Sequence, residues 1–374
     1  MKNLSVALLG LLFPLAVTAQ TAPPAPADAA ETAAAPAGIT PLTTYAFADG
    51  YYGYDITSKG LARPGFLYSH PRNNEFALNN GIIGVRYDDG QVRGALGLHA
   101  GTYVEANYAA EPAVLQHIYE GYAGFRPFQK TWLDVGIFAS HIGFESAMSK
   151  DNWTLTRSLM AENSPYFESG ARFTYEASAK LTLTALALNG WQNLRDRNHA
   201  KATGWQIQWK PTDKVLINSS SFYGNEQPQD SARRRRFFHN FYATYTPSDR
   251  IALAVVFDVG KQQRAPGETT KYDTWHTGAA FVKVKLAERW STTLRGEYYK
   301  AARSVVIGSL TPLAGDANYF VRGGSLNVDY LPTAHVAFRV EGRLLNAKES
   351  RFADRAGAPA DTYANLTSSI ALSF

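Results

Sequence analysis

Thr362-Tyr363-Ala364-Asn365-Leu366-Thr367-Ser368-Ser369-Ile370-Ala371-Leu372-Ser373-Phe374 ends the chain. Counted back from Phe374, alternate residues Leu372, Ile370, Leu366 and Ala364 are apolar, with Ser368 the exception. Between them lie the polar Ser373, Ser369, Thr367 and Asn365, with Ala371 the small exception. A period of two makes a strand with one apolar and one polar face. A soluble protein rarely leaves such a strand ending on a free aromatic carboxylate. A barrel in a membrane does so readily, because its last strand closes the sheet and its lipid-facing row ends in the interfacial aromatic belt. Phe374 is therefore expected to serve barrel closure and insertion.

The other end agrees. Lys2 gives a positive start, Leu4 to Val17 form a short apolar stretch, and Val17-Thr18-Ala19 offers small residues for cleavage. This layout predicts a secretory signal peptide over residues 1–19, and the stretch is too short for a spanning helix, which needs about 20 apolar residues. The chain has no cysteine, which excludes a lipid anchor, a disulfide framework and a thiolate metal site. Residues 20–38 are mostly Ala, Pro and Thr without an aromatic, so they read as a flexible periplasmic spacer.

From residue 39 to 374 no apolar run is long enough for a membrane helix. Hydrophobic residues make up 45% and aromatics 13%, yet mean hydropathy is −0.24. An apolar outside with a polar inside averages to such a value. Alternation and turn residues predict about sixteen strands, near 42–55, 74–87, 91–104, 114–126, 131–139, 166–176, 181–191, 203–210, 214–224, 236–246, 250–261, 274–286, 289–301, 316–330, 335–347 and 361–374. The gaps alternate strictly between short (such as 88–90, 211–213 and 287–288) and long (such as 56–73, 140–165 and 348–360). The expected fold is all-β: a transmembrane antiparallel up-and-down barrel with short periplasmic turns and long extracellular loops, in the bacterial outer membrane. Prolines are expected outside the strands. Trp132, Trp209 and Trp290 beside short turns, with Trp191, Trp205 and Trp275 beside long loops, suggest two aromatic girdles.

Individual faces can be sorted. Ile251, Leu253, Val255, Phe257 and Val259 form a lipid row with Asp258 opposite. Val336, Phe338, Val340 and Leu344 face out while Arg339, Glu341 and Arg343 face in. Trp290 and Leu294 face out against Arg295 and Glu297. Arginine or lysine on a lipid face at the midplane costs about 2–4 kcal/mol, so these charges are expected to face the lumen. The full expected lumen set is Arg93, Arg172, Asp258, Lys283, Lys285, Arg295, Glu297, Arg339, Glu341 and Arg343. With Glu168 and Glu176 added, the inward charges number seven positive to five negative, which predicts a weak anion preference. Strands 74–87 and 114–126 alternate too poorly for their faces to be assigned.

Several blocks between about Tyr51 and Trp191 resemble a known family. They are Asp49-Gly50-Tyr51-Tyr52, Asn74-Glu75-Phe76-Ala77-Leu78-Asn79, Ala100-Gly101-Thr102-Tyr103-Val104 and Trp132-Leu133-Asp134-Val135-Gly136-Ile137-Phe138. Next come Ser140-His141-Ile142-Gly143-Phe144-Glu145-Ser146, Asp151-Asn152-Trp153-Thr154, Arg157-Ser158-Leu159, Asn163-Ser164-Pro165-Tyr166 and Leu188-Asn189-Gly190-Trp191. In this order they resemble the OmpL-like β-barrel porin-2 family. The resemblance covers less than half the chain and implies an outer-membrane barrel acting as a porin, without naming a solute.

Residues 141–165 form the longest connection, and loops beyond about 12–15 residues are usually functional or disordered. Poor in glycine and carrying Trp153, Leu155, Leu159 and Met160, this one is expected to be ordered. By analogy with general porins it is the candidate for an inward, pore-narrowing loop, with Glu145, Asp151 and Arg157 as constriction charges. The plainer alternative is an outward loop packed on its neighbours. Arg233-Arg234-Arg235-Arg236 reads first as a solvated loop, with lipopolysaccharide phosphates or an anion funnel as alternatives. Gly101, Gly136, Gly170 and Gly190 read as close strand packing.

The leading function is passive diffusion of small hydrophilic solutes through a charge-lined pore. The runner-up is a loop-plugged structural, adhesin or receptor barrel, followed by a barrel-wall hydrolase such as His276 with a neighbouring serine. No enzymatic motif, cofactor site or metal site is expected. Expected partners are outer-membrane lipid and lipopolysaccharide, the barrel-assembly machinery and the solutes, with homo-oligomers left open and nucleic acid excluded.

Overall fold

A computed structural model describes residues 41–307 and 318–374. The expected signal peptide (1–19) and spacer (20–38) lie outside the described residues. Sixteen antiparallel strands close into one barrel. They are β1 (Leu42–Asp55), β2 (Glu75–Asp88), β3 (Val92–Ala100), β4 (Ile118–Phe125), β5 (Thr131–Ala139), β6 (Phe167–Ser178), β7 (Leu181–Leu188) and β8 (Ala202–Thr212). The rest are β9 (Val215–Asn225), β10 (Arg235–Ser248), β11 (Ile251–Gln263), β12 (Tyr272–Ala287), β13 (Trp290–Ala301), β14 (Tyr319–Thr333), β15 (Val336–Ala347) and β18 (Thr362–Ser373). A small hairpin, β16 (Phe352–Ala353) with β17 (Pro359–Ala360), decorates the last long loop. Each barrel strand pairs with its sequence neighbour, and β18 returns to β1. At that seam the Ala46 N–H donates to the Phe374 carbonyl (2.7 Å) and the Phe374 N–H to the Ala46 carbonyl (3.1 Å). Closure satisfies every edge, which a membrane requires.

Every expected strand is present, most with shifted ends; residues 316–317 of the expected strand 316–330 lie outside the described residues. Two boundaries move for a physical reason. Expected strand 91–104 stops at Ala100 because Gly101 turns the chain, with φ +138, into helix α1 (Thr102–Asn107). This helix buries Tyr103 and Val104. Expected strand 114–126 begins only at Ile118, since 113–116 form the short helix α2 (Ala113–Gln116). Three prolines expected in turns lie just inside strand ends: Pro211, Pro247 and Pro332. Each sits where the register shifts before the closing pair, Thr212 with Val215, Ser248 with Ile251 and Thr333 with Val336. The irregularity lets proline enter without owing the ladder a hydrogen bond.

Along the sorted strands Val255, Phe257, Val259, Leu294, Phe338, Val340 and Leu344 are exposed, whereas Asp258, Arg295, Arg339, Glu341 and Arg343 on the other face are buried. Bulges explain the two unsorted strands. In β2 the pairing jumps from Asp49–Asn80 to Gly50–Leu78, so Asn79 is extra and the outward row changes parity. In β4 it jumps from Gly97–Glu120 to Leu98–Ile118, leaving Tyr119 extra. At another point two glycines meet: Gly136 pairs with Gly170 across β5 and β6. A Cβ on Gly170 would lie 2.0 Å from the Ala187 carbonyl oxygen, and one on Gly136 would lie 2.2 Å from that of Gly121. Only glycine fits there.

The girdle expectation needs correction. Trp132 and Trp275 point inward and are buried, and Trp191, in the loop after β7, packs on Phe222, Phe238 and Trp275. The exposed tryptophans are Trp205, Trp209 and Trp290, the last stacked on Tyr330, which stacks on Phe338. Trp275 and Trp191 serve an inner core instead, while Trp132 is covered by the Arg93 and Arg126 guanidiniums at 4.3 and 4.5 Å. Phe66, Phe138, Leu159, Phe222, Tyr299, Tyr319, Leu345 and Tyr363 belong to one buried apolar cluster at the loop-side half of the lumen.

Candidate functional site

The connection 140–166 folds into the lumen. It contains a 3-10 turn (Ser149–Asp151) and helix α3 (Leu159–Glu162), whose cap Ser158 accepts from the Ala161 N–H at 3.2 Å. Irregular backbone carries donors and acceptors that burial would leave unmet. The wall of β13, β14 and β15 meets them. Asn327 accepts from the Leu155 N–H (3.1 Å), Glu341 from Thr156 (2.5 Å) and Glu297 from Leu159 (2.6 Å). Arg295 donates to the Thr156 carbonyl (2.6 Å), and Arg339 to the carbonyls of Asn152 (2.9 Å) and Ser149. The same wall charges pair with each other: Arg295 with Glu341 (2.8 Å), Arg343 with Glu297 (2.8 Å) and Arg339 with Asp329 (2.7 Å). Five of the expected lumen charges, Arg295, Glu297, Arg339, Glu341 and Arg343, thus lie beneath the loop and bind it or one another.

The three expected constriction charges sit apart. Glu145 is buried and accepts from the Ser158 N–H (2.9 Å) and hydroxyl. Burial pushes its carboxyl up, against the pull of Arg295 and the Ser158 bonds. Arg157 is buried between rings, 4.4 Å from the Tyr103 centroid and 3.8 Å from that of Tyr166, and donates to the Ser69 hydroxyl (2.6 Å). Asp151 is half-buried and pairs with Lys150 (2.6 Å). Glu145 and Arg157 brace the loop internally and against its neighbours, while Asp151 stands at its margin. At the loop's entrance the His141 ring donates to the Glu168 carboxylate (2.9 Å) and to the Ser221 carbonyl (2.8 Å). Burial alone would lower this imidazole, but the Glu168 carboxylate and these bonds outweigh it and hold it raised.

A second inward segment escaped the sequence reading. Residues 56–74 bury Phe66 and Leu67 in the lumen core, and Glu162 accepts from the backbone N–H groups of Tyr68 (3.0 Å) and Ser69 (3.2 Å). His70 pairs with Asp49 of β1 at 2.9 Å, and Arg63 with Asp55 at 3.3 Å. The signal was the apolar Phe66-Leu67 pair inside a long gap, with two acids on the inward row of β1.

The opposite wall stays wetter. Arg93 and Arg172 converge on buried Asp134 at 2.7 and 3.1 Å and retain 15% and 23% of their side-chain exposure. Gln206, Gln208, Thr174, Lys283 and Lys285 are half-buried at the turn-side half. Asp258 is buried and accepts from Asn240 at 2.5 Å. Partly exposed polar side chains on β3, β6, β8 and β12 thus gather at the turn-side half of the lumen, while the loop side is packed with apolar residues.

Among the described residues no group of three His, Asp or Glu side chains is arranged to hold a metal ion. His276 meets the Tyr298 hydroxyl at 3.4 Å, not a serine. Ser221 does reach His239 Nδ1 at 2.6 Å on the outward row, but the other ring nitrogen faces Ser219 at 3.5 Å, with no carboxylate among its hydrogen-bond partners.

A family model described as "Putative beta-barrel porin-2, OmpL-like" matches residues 41–374, well beyond the blocks noted up to Trp191. No curated protein matches the chain. Solved structures of similar fold include the outer membrane channel DcaP of Acinetobacter baumannii, with TM-score 0.59 and 11% identity, covering 89% of this chain and 97% of that one. An anion-selective porin from Comamonas acidovorans has TM-score 0.59 and 8% identity, with 89% and 99% covered. The trimer form of in-vitro folded OmpT of Vibrio cholerae has TM-score 0.57 and 9% identity, again with 89% and 99% covered. At these identities the likeness is one of fold.

Proposed function

The chain belongs to the OmpL-like β-barrel porin-2 family, and from that premise we propose that this outer-membrane porin passes small hydrophilic solutes by passive diffusion, with a weak preference for anions. The observation that carries the reading is lopsided occupancy of the lumen. The loop 140–166 is clamped to β13–β15, while Arg93, Arg172, Gln206 and Gln208 on the far wall keep contact with water. Solutes entering there meet a polar strip on which Arg93 and Arg172 share Asp134, and Lys283 and Lys285 add positive charge at the turn-side half. Exclusion by size and by the field of these charges needs no chemistry of the solute, and no catalytic step is assigned. Outer-membrane lipid and the barrel-assembly machinery are the surroundings this function requires. The trimer form of OmpT supports assembly of further copies here as well.

A second reading is favoured by the apolar cluster that fills the loop-side half of the lumen. On that reading the barrel is plugged and acts as a receptor, an adhesin or a structural element. Single-channel recording in planar bilayers tests both. Stepwise conductance with a reversal potential on the anion side supports diffusion. A silent, correctly folded barrel overturns it and leaves the plugged reading.

A further inference from the structure

The loop-side ends of β10 to β15 carry a row of cations that faces away from the lumen. Arg235, Lys261, Lys300, Arg322 and Lys348 are all exposed. Alternation fixes their direction: Lys261 shares its row with Phe257 and Val259, Lys300 with Leu294, and Arg322 with Leu326, all exposed to the bilayer. Register fixes their level. Lys261 is opposite Phe237 and Thr274, Lys300 is opposite His276 and Phe320, and Arg322 is opposite Tyr298 and Asn346. Thr274 and His276 are one outward step apart, as are Phe320 and Arg322. Neighbouring cations thus differ in height by about 7 Å and stand roughly 8–12 Å apart along the wall.

Aromatic rings mark this level as the membrane interface. The Lys261 ammonium lies 5.9 Å from the Phe237 centroid and 5.1 Å from that of Tyr272, and Tyr298 and Phe320 adjoin Lys300 and Arg322. The carboxylate at this end of the wall, Asp273, is buried on the inward row and shared by Arg234, Arg264 and Arg303. Among the described residues, none of the five outward cations enters an ion pair. The far side of the barrel is different. There the outward rows of β1, β2, β3 and β5 end in Tyr54, Phe76, Leu78, Leu98 and Ala139; Glu75 is paired with Arg72 at 3.0 Å, and a cation, Arg355, comes from the last loop onto the Tyr54 hydroxyl and the Ile56 carbonyl.

A band of unpaired cations over an apolar wall, at headgroup depth on the loop side, is complementary to a phosphorylated lipid whose acyl chains run down the wall. Neither the lumen nor the solute path needs these charges. Resting on the outer-membrane location, we propose that the β10–β15 face is a binding site for the phosphate groups of lipopolysaccharide. The arginine run found in the sequence divides accordingly: Arg235 belongs to the outward band, whereas Arg234 and Arg236 turn inward to Asp273 and Gln262.

The test uses the full-length mature protein in detergent, incubated with diphosphorylated lipid A or with the same lipid dephosphorylated, and counts bound lipid by native mass spectrometry. The wild-type protein should retain the phosphorylated form at least tenfold better. The triple variant Lys261→Gln, Lys300→Gln, Arg322→Gln should lose about that factor. A control with equal charge loss at the turns, Lys180→Gln, Lys214→Gln, Arg289→Gln, should stay within about twofold of wild type. Heat-shifted gel mobility checks that each variant is folded, and if the triple variant is not, Lys300→Gln and Arg322→Gln alone should each lower retention about threefold. Equal retention of both lipids by the wild type, or full retention by the folded variants, overturns the proposal. Loss of binding in millimolar inorganic phosphate at constant ionic strength also overturns it, since the site would then be one for free phosphate.

Discussion

Arg295 and Glu341 pair at 2.8 Å with both side chains fully buried, and both hold the same residue of the inward loop, Thr156, by its carbonyl and its N–H. The pair is thus a clamp joining β13, β15 and the loop. Removing one partner leaves an uncompensated buried charge, which costs about 3–5 kcal/mol. Arg295→Ala should lower the temperature at which the barrel shifts mobility on a denaturing gel and raise single-channel conductance. Replacing both with apolar residues (Arg295→Met with Glu341→Leu) should restore much of the thermal resistance but not the loop's hold. Unchanged conductance in the single variant would place the solute path away from this loop.

Acidity should tighten the same loop. His141 is held raised, so its charged form is favoured in the docked state. Its contribution is complete below the ordinary imidazole pKa of about 6.5 and disappears as pH rises through the raised value. Glu145 is also raised, mainly by burial, so its neutral form is favoured when docked. Docking is then firmest below the ordinary carboxylate value of about 4.3 and weakens as pH climbs to the raised one. Both signs agree: the loop loosens with rising pH. Protease cleavage within 141–165 should be slower near pH 5 than near pH 8, and Glu145→Gln with His141→Gln should flatten the difference.

The barrel was legible because its repeat is stated sixteen times over, in period-two rows and in the alternation of turns and loops. Strands 250–261 and 335–347 could even be sorted by face, since unbroken alternation fixes every side chain. The sorting failed where Asn79 and Tyr119 bulge, because one extra residue inverts parity and erases the pattern without changing the strand. The interior was harder. Whether Arg295 meets water or a loop depends on contacts between residues far apart in sequence, such as Thr156, and no local period encodes them. That 141–165 would be ordered was readable from its length and apolar content, whereas its inward course was expected only by analogy with general porins, an outward loop being the plainer alternative. That Glu145 would brace Ser158 was not, and neither was the engagement of Trp191 and Trp275 in the inner core, nor the burial of Trp132 under Arg93 and Arg126, rather than their use in the girdles. A tryptophan beside a loop looks alike whether it faces in or out.

Ion selectivity should be set by the wet wall. Arg93 and Arg172 share Asp134 and remain partly exposed, and Lys283 and Lys285 add further positive charge. At physiological salt the Debye length is about 8 Å, so the anion preference should be weak and should grow as salt is lowered. Arg93→Gln with Arg172→Gln leaves Asp134 alone and should move the reversal potential toward cations. Cation preference in the wild type, deepening at low salt, would mean that other charges control the narrowest point.

Phe374 closes the barrel twice over. Its backbone exchanges two hydrogen bonds with Ala46, joining β18 to β1, and its ring, 71% exposed, extends the outward row of Leu366, Ile370 and Leu372 into the interface. Deleting it removes both hydrogen bonds at the one seam whose strands are not linked by a turn, along with the ring that anchors that seam. The truncated chain should reach the outer membrane at a small fraction of the wild-type level, measured by fractionation and by the heat-shifted band. Phe374→Tyr keeps the backbone bonds and an interfacial ring and should assemble close to normally, whereas Phe374→Ala keeps only the bonds and should fall between. Normal levels of the truncated chain would show that the seam is secured by the paired registers of Phe47 to Asp55 alone.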